Sequence, residues 1–104
     1  MAEVTHSNDV QVEQENLVEQ ILARKFTVVF HNDDFTPMEF VVLVLRNVFG
    51  LNEDAAVATM MKIHQEGKGA AGVFSREIAD TKVDISTRAA VHAGHPFHCE
   101  VQPI

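Results

Sequence analysis

The hydrophobic pattern of the chain changes period several times, and each change marks an element. Lys25 to His31 (K-F-T-V-V-F-H) concentrates β-branched and aromatic residues and predicts a strand. Asn32-Asp33-Asp34-Phe35 interrupts it with turn formers. Phe40 to Leu45 (F-V-V-L-V-L) would suit a buried strand by propensity alone. The preceding Thr36-Pro37-Met38-Glu39 decides otherwise, because it has the form of a capping box. Thr36 would be the N-cap, Pro37 the first helical residue and Glu39 the third. A helix is therefore expected from about Pro37 to Phe49, ended by Gly50. Asn52 caps a second helix, with Glu53 and Asp54 in its first turn and Ala56, Met60, Ile63 and His64 on one face. Gly67 ends it. Gly72-Val73-Phe74, with the residues before it, predicts a short strand. Ser75 caps a third helix reaching about Ala93, stopped by Gly94 and Pro96, and Phe97 to Val101 predicts a last strand. The order strand, helix, helix, strand, helix, strand implies an α+β fold in which helices cover a small sheet.

The first helix is apolar nearly all round, with only Glu39, Arg46 and Asn47 polar. A small sheet covers one face of such a helix. The remainder must meet another helix, line a pocket or face a partner. Asn32, Asp33 and Asp34 precede this surplus apolar surface. Alone they would be an ordinary turn. Beside an apolar hole they form an acidic rim suited to a ligand that carries a cation next to a hydrophobe. By the same standard, His64 alone would be a surface histidine at a helix C-terminus, and Met60 and Ile63 would be core.

Composition narrows the function further. The chain has 104 residues, 46% of them apolar, which allows one domain with a real core. Residues 1–23 stand apart: they carry Glu3, Asp9, Glu13, Glu15 and Glu19 and no Lys or Arg. They predict a mobile acidic extension with a short helix at its end, leaving 24–104 as the core domain. A net charge of −7 argues against nucleic acid and anionic membrane surfaces and favours cationic partners. No apolar run approaches the length of a membrane span, and the N-terminus lacks the apolar region of a signal peptide, so a cytoplasmic location is expected. Cys99 is the single cysteine and is expected to be a buried small hydrophobe.

Three motifs invite catalytic readings that their context rejects. Gly67 to Gly72 matches G-x-G-x-x-G, but a helix precedes it and a strand follows, the reverse of a nucleotide site, so a flexible connection is expected. His92, His95 and His98 are evenly spaced, but Gly94 and Pro96 break the helix between them, so they are read as surface histidines rather than metal ligands. Ser7, Ser75 and Ser86 have no triad-like context. No catalytic residue, metal or cofactor is expected.

Asn32-Asp33-Asp34-Phe35-Thr36-Pro37-Met38-Glu39-Phe40-Val41 closely resembles the signature of ClpS, the bacterial adaptor of the Clp protease. The match continues through Met60, Ile63 and His64, Gly67-Lys68, Gly72-Val73-Phe74, Glu77, Thr81-Lys82-Val83 and His95-Pro96. The resemblance implies a three-stranded antiparallel sheet packed against three helices, a fold similar to the ribosomal stalk protein's C-terminal domain. It implies an adaptor, not an enzyme, that binds N-degrons. These are proteins with a bulky hydrophobic N-terminal residue (Leu, Phe, Tyr or Trp), delivered to the ClpA unfoldase of the ClpAP protease. It further implies that Asn32, Asp33 and His64 hold the α-amino group. Asp34, Thr36, Met38, Val41, Met60, Ile63 and Phe97 would shape the pocket, with Met38 at its mouth excluding β-branched residues. Glu77 and Lys82 would face the unfoldase, which the N-terminal extension would also engage. The chain itself would be a monomer. A general interaction module of the same fold, indifferent to a free amine, is the alternative. Three positions depart from the family pattern, as in a divergent paralogue: Phe97 and His31 stand where aliphatic residues are usual, and Leu43 where a polar one is.

Overall fold

A computed structural model describes residues 24–104 together with Leu17. The acidic extension expected over residues 1–23 otherwise lies outside the described residues. Three strands and three helices follow in the order β1 (Phe26–His31), α1 (Met38–Asn47), α2 (Glu53–Glu66), β2 (Lys68–Phe74), α3 (Arg76–Ala93) and β3 (His98–Pro103). The sheet order is β2-β1-β3 with both pairings antiparallel, so the strand richest in β-branched and aromatic residues takes the centre. The α+β architecture expected from the resemblance is the one observed.

Side-chain alternation divides the sheet into two faces. Val28 and Phe30 of β1 and Cys99 of β3 are buried against the helices, which contribute Val44, Leu45, Ala56, Ile63, Ala79 and Ala90. Phe30 is the hub. It meets Phe49 edge-on at 5.2 Å between centroids and Phe97 at 4.8 Å. His31, His98 and Glu100 alternate onto the opposite face, at the end of the β1–β3 ladder. Cys99 fulfils its expected role: it is buried among apolar side chains, which pushes its thiol up to about 11.

Helix ends follow the capping residues at two of three sites. The Asn52 side chain accepts from the Ala55 N–H at 2.8 Å, and Gly67 closes α2 in the left-handed region at φ 88°. Ser75 accepts from the Ile78 N–H, and Gly94 closes α3 at φ 76°. The start of α1 corrects the expected capping box. Pro37, not Thr36, is the N-cap residue, it is extended, and no side chain caps it. The Thr36 hydroxyl instead donates to Asp33.

The glycine-rich run is also corrected: Lys68 to Phe74 is all strand rather than a flexible connection. Thr27 pairs with Val73 and Val29 with Ala70, so β2 carries one extra residue, a bulge around Ala71-Gly72. Thr27 Oγ1 donates to the Gly72 carbonyl at 2.9 Å and pins it. A Cβ on Gly72 would come within 2.6 Å of the Phe74 ring, and one on Gly69 within 2.9 Å of Ile63. The glycines thus serve close packing, of α2 on β2 in the second case.

Candidate functional site

The turn between β1 and α1 is organised by one carboxylate. Asp33 Oδ1 accepts the backbone N–H groups of Phe35 (2.9 Å) and Thr36 (2.7 Å), and Oδ2 accepts the Thr36 hydroxyl (2.8 Å). This is the side-chain-to-backbone geometry that favours Asp in turns. Burial pushes the Asp33 carboxyl upward. The Thr36 hydroxyl, the two backbone N–H groups and the charge of His95 outweigh it and leave the carboxyl below its ordinary 3.8. A carboxylate offers about four lone-pair sites. The turn uses three of them, so Asp33 is held in a fixed direction with acceptor capacity to spare.

The lowered Asp33 value has a consequence for stability. The folded carboxyl releases its proton more readily than the unfolded one, whose value is near 3.8. Its ionised contacts therefore stabilise the fold fully above that value and are lost as pH falls through the lower folded value. Melting temperature should show an Asp33-dependent decline below about pH 4. Asp33→Asn should flatten that part of the profile, as differential scanning fluorimetry across pH would record.

The neighbouring elements close a cavity over this turn. The Asn32 N–H donates to the Gly67 carbonyl at 2.9 Å, which joins the end of β1 to the end of α2. His64, in the last turn of α2, is thereby brought beside Asn32. Met60 and Ile63 come from the same helix, Met38 and Val41 from the first turns of α1, and Phe97 from the residue before β3. Together with Asp34 and Thr36 they line a concavity of about 290 Å³. All ten residues assigned by resemblance to amine and pocket contacts border this one cavity. Ile63 and Phe97 are buried, Val41 and Met60 half-buried, and Met38 is 44% exposed. Asn32, Asp34 and His64 are exposed, and Asp33 and Thr36 half-buried. The result is a polar rim around an apolar floor, the arrangement of a small-ligand site. It offers hydrogen-bond acceptors to a cation and contact area to an apolar side chain.

Phe35 and His31 also border the cavity and were not anticipated. The adjacency of Phe35 to the turn could have signalled the first. His31 needed the β1–β3 register. It lies opposite His98, its ring stacked on His98 at 5.3 Å, and its Nε2 is 2.8 Å from Glu100 Oε1. That bond, then one from Gln102, holds the Glu100 carboxyl below its usual range. Of the three histidines read as surface residues, His92 and His98 are exposed, and only His95 departs from that expectation. His95 is half-buried edge-on to Phe40 at 4.9 Å, while His98 belongs to the sheet.

Glu77 and Lys82 lie elsewhere, on α3, around a second concavity of about 380 Å³ shared with Val48, Ile78 and Ile85. Lys82 Nζ donates to the Val48 carbonyl at the end of α1 and sits 5.3 Å from the Phe74 ring centroid. Its charge therefore complements the C-terminal end of a helix dipole as well as facing this surface.

Among the described residues no helix is long and apolar enough to cross a membrane. Residues 22–100 match the family model described as "ATP-dependent Clp protease adaptor protein ClpS". The ClpS adapter protein of Paracidovorax citrulli is 51% identical over 79 residues, 76% of this chain and 65% of that protein. Its counterpart in Paraburkholderia phymatum is 47% identical over 77 residues, 74% of each chain. The chain thus spans about two thirds of the length of the first of these relatives. The solved structure of Agrobacterium tumefaciens ClpS2 bound to L-phenylalaninamide matches with a TM-score of 0.75 at 37% identity, covering 78% of this chain and 98% of that one.

Proposed function

Because the chain belongs to the ClpS family of Clp protease adaptors, and is an adaptor rather than an enzyme, we propose that it captures proteins by a free N-terminus bearing Leu, Phe, Tyr or Trp. It hands them to a ClpA-type AAA+ unfoldase in the cytoplasm. The observation that carries this reading is the cavity of polar rim and apolar floor. The ligand named for Agrobacterium ClpS2, L-phenylalaninamide, has the matching chemistry: a free α-amine one bond from a carbon bearing a benzyl group.

In this reading Asp33, Asn32 and His64 accept the α-amine. A terminal amine is largely protonated near neutral pH, since its reference pKa is about 7.7–8.0. Each charge-assisted bond contributes about 1.5–3 kcal/mol, and burial of a Leu or Phe side chain a similar amount. After ordering costs this supports affinity of about micromolar or somewhat tighter. Because Asp33 is already fixed by its turn, little reorganisation opposes binding. Met38 at the mouth would contact substituents on Cβ of the bound residue. Asp34 and Thr36 would contact the peptide backbone beyond it. Glu77 and Lys82 form a separate surface on α3, available to the unfoldase while the cavity is filled.

Three peptides test the proposal by fluorescence anisotropy: one beginning with Phe, the same peptide acetylated, and one beginning with Ala. Acetylation leaves Asp33 desolvated without its cation. The acetylated peptide should therefore bind about a hundredfold more weakly, and the Ala peptide at least tenfold more weakly. Equal binding of all three would overturn the proposal and favour a general interaction module. Delivery is tested separately by degradation of a Phe-initiated reporter with ClpA and ClpP.

A further inference from the structure

The open face of the sheet carries a second cluster, which shares only His31 with the lining of the cavity. His31 and His98 are directly paired across the β1–β3 ladder, and Glu100 is two residues further along β3, on the same face. One ligand atom from each of the three lies within 4.8 Å of the others. The His31 Nε2 to Glu100 Oε1 separation of 2.8 Å is already near the ligand–ligand edge of about 3.4 Å around a tetrahedral ion with bonds of about 2.0–2.1 Å. His98 is exposed, so rotation of its side chain would close the remaining distance. Gln102 Nε2 donates to the same Glu100 oxygen at 3.0 Å and orients the carboxylate, as outer partners do in metal centres.

We propose that His31, His98 and Glu100 form a binding site for a divalent transition-metal ion of the zinc, nickel or copper type. Two imidazoles and one carboxylate are the ligand softness these ions select, and three protein ligands leave a coordination position for water. The ion replaces the hydrogen between His31 and Glu100, and the His31 ring carries its proton on Nδ1 instead. Bound there, it ties the ends of β1 and β3 together. Hard ions such as magnesium and calcium lack the oxygen ligands they require here. The inference rests on strand register and donor chemistry alone and does not depend on peptide capture.

The test uses the untagged full-length chain. Zinc is titrated in competition with a chromophoric chelator, and histidine ring nitrogens are followed by NMR. One equivalent should bind saturably, with the His31 and His98 ring signals shifting together. Loss of an outer partner alone typically costs tenfold to a hundredfold in metal affinity. Removing a ligand by His31→Ala or His98→Ala should therefore weaken zinc at least about tenfold, while His92→Ala leaves it unchanged. Absence of saturable binding overturns the proposal, as does affinity indifferent to both ligand substitutions. So does a wild-type spectrum in which zinc leaves the two rings unmoved, a reading that requires no variant to fold.

Discussion

Phe30→Ala is expected to destabilise the domain by about 3–5 kcal/mol, a large part of the roughly 5–15 kcal/mol available to a domain of this size. Phe30 is fully buried on the central strand, and the rings of Phe49 and Phe97 stand edge-on to it. Truncation removes the transfer energy of the ring and leaves a void that two rings anchored on different elements close only in part. The two aromatic pairs account for about 0.5–1.5 kcal/mol each within that loss. Urea unfolding should show a lower midpoint at unchanged slope. A loss below about 1 kcal/mol would mean that Phe49 and Phe97 collapse into the gap. Phe97 is also a wall of the candidate cavity, so such collapse would deepen the cavity and could be seen as a change in its ligand preference.

The parts of this architecture legible in the sequence were those fixed by local chemistry. Asn52, Gly67, Ser75 and Gly94 bound their helices because side-chain caps and left-handed glycines act within a few residues. The nearly all-apolar α1 also signalled correctly. Its surface divides between core residues Val44 and Leu45, cavity residues Met38 and Val41, and Leu43, which is 55% exposed. The errors arose where a residue had two partners to choose from. Thr36 had the right spacing for a cap, but the Asp33 carboxylate, three residues earlier, offered a charged acceptor and took its hydroxyl. The glycines of β2 suggested flexibility because local propensity cannot reveal that Ile63 and the Phe74 ring occupy the space of a side chain. The His31–His98–Glu100 cluster was invisible for a related reason. Its members are far apart in the chain, and only the β1–β3 register aligns them. The cavity residues are equally dispersed. Periodicity suggested a rim beside apolar surface, but the contribution of α2 and Phe97 came from the resemblance alone.

Asp33→Asn should weaken binding of a Phe-initiated peptide by about tenfold to a hundredfold while leaving the fold nearly unperturbed. The asparagine keeps a carbonyl oxygen for the N–H groups of Phe35 and Thr36, and its amide can donate to the Thr36 oxygen in place of the bond that Oδ2 now accepts. What it loses is the charge opposite the α-amine. Asp33→Ala removes the charge and the turn together, so it should lower affinity at least as far and cost about 1–2 kcal/mol of stability besides. Measuring peptide affinity and urea midpoint for both variants separates the two roles. Wild-type affinity in Asp33→Asn would remove Asp33 from amine capture and leave it as a turn residue. The sharper measurement crosses the substitution with acetylation of the peptide, which deletes the two partners one at a time. If the carboxylate acts on the amine, Asp33→Asn should weaken the free peptide and have little further effect on the acetylated one. Equal losses for both peptides would place the effect in the shape of the turn, and amine capture would then lie with the acceptor atoms of Asn32 and His64.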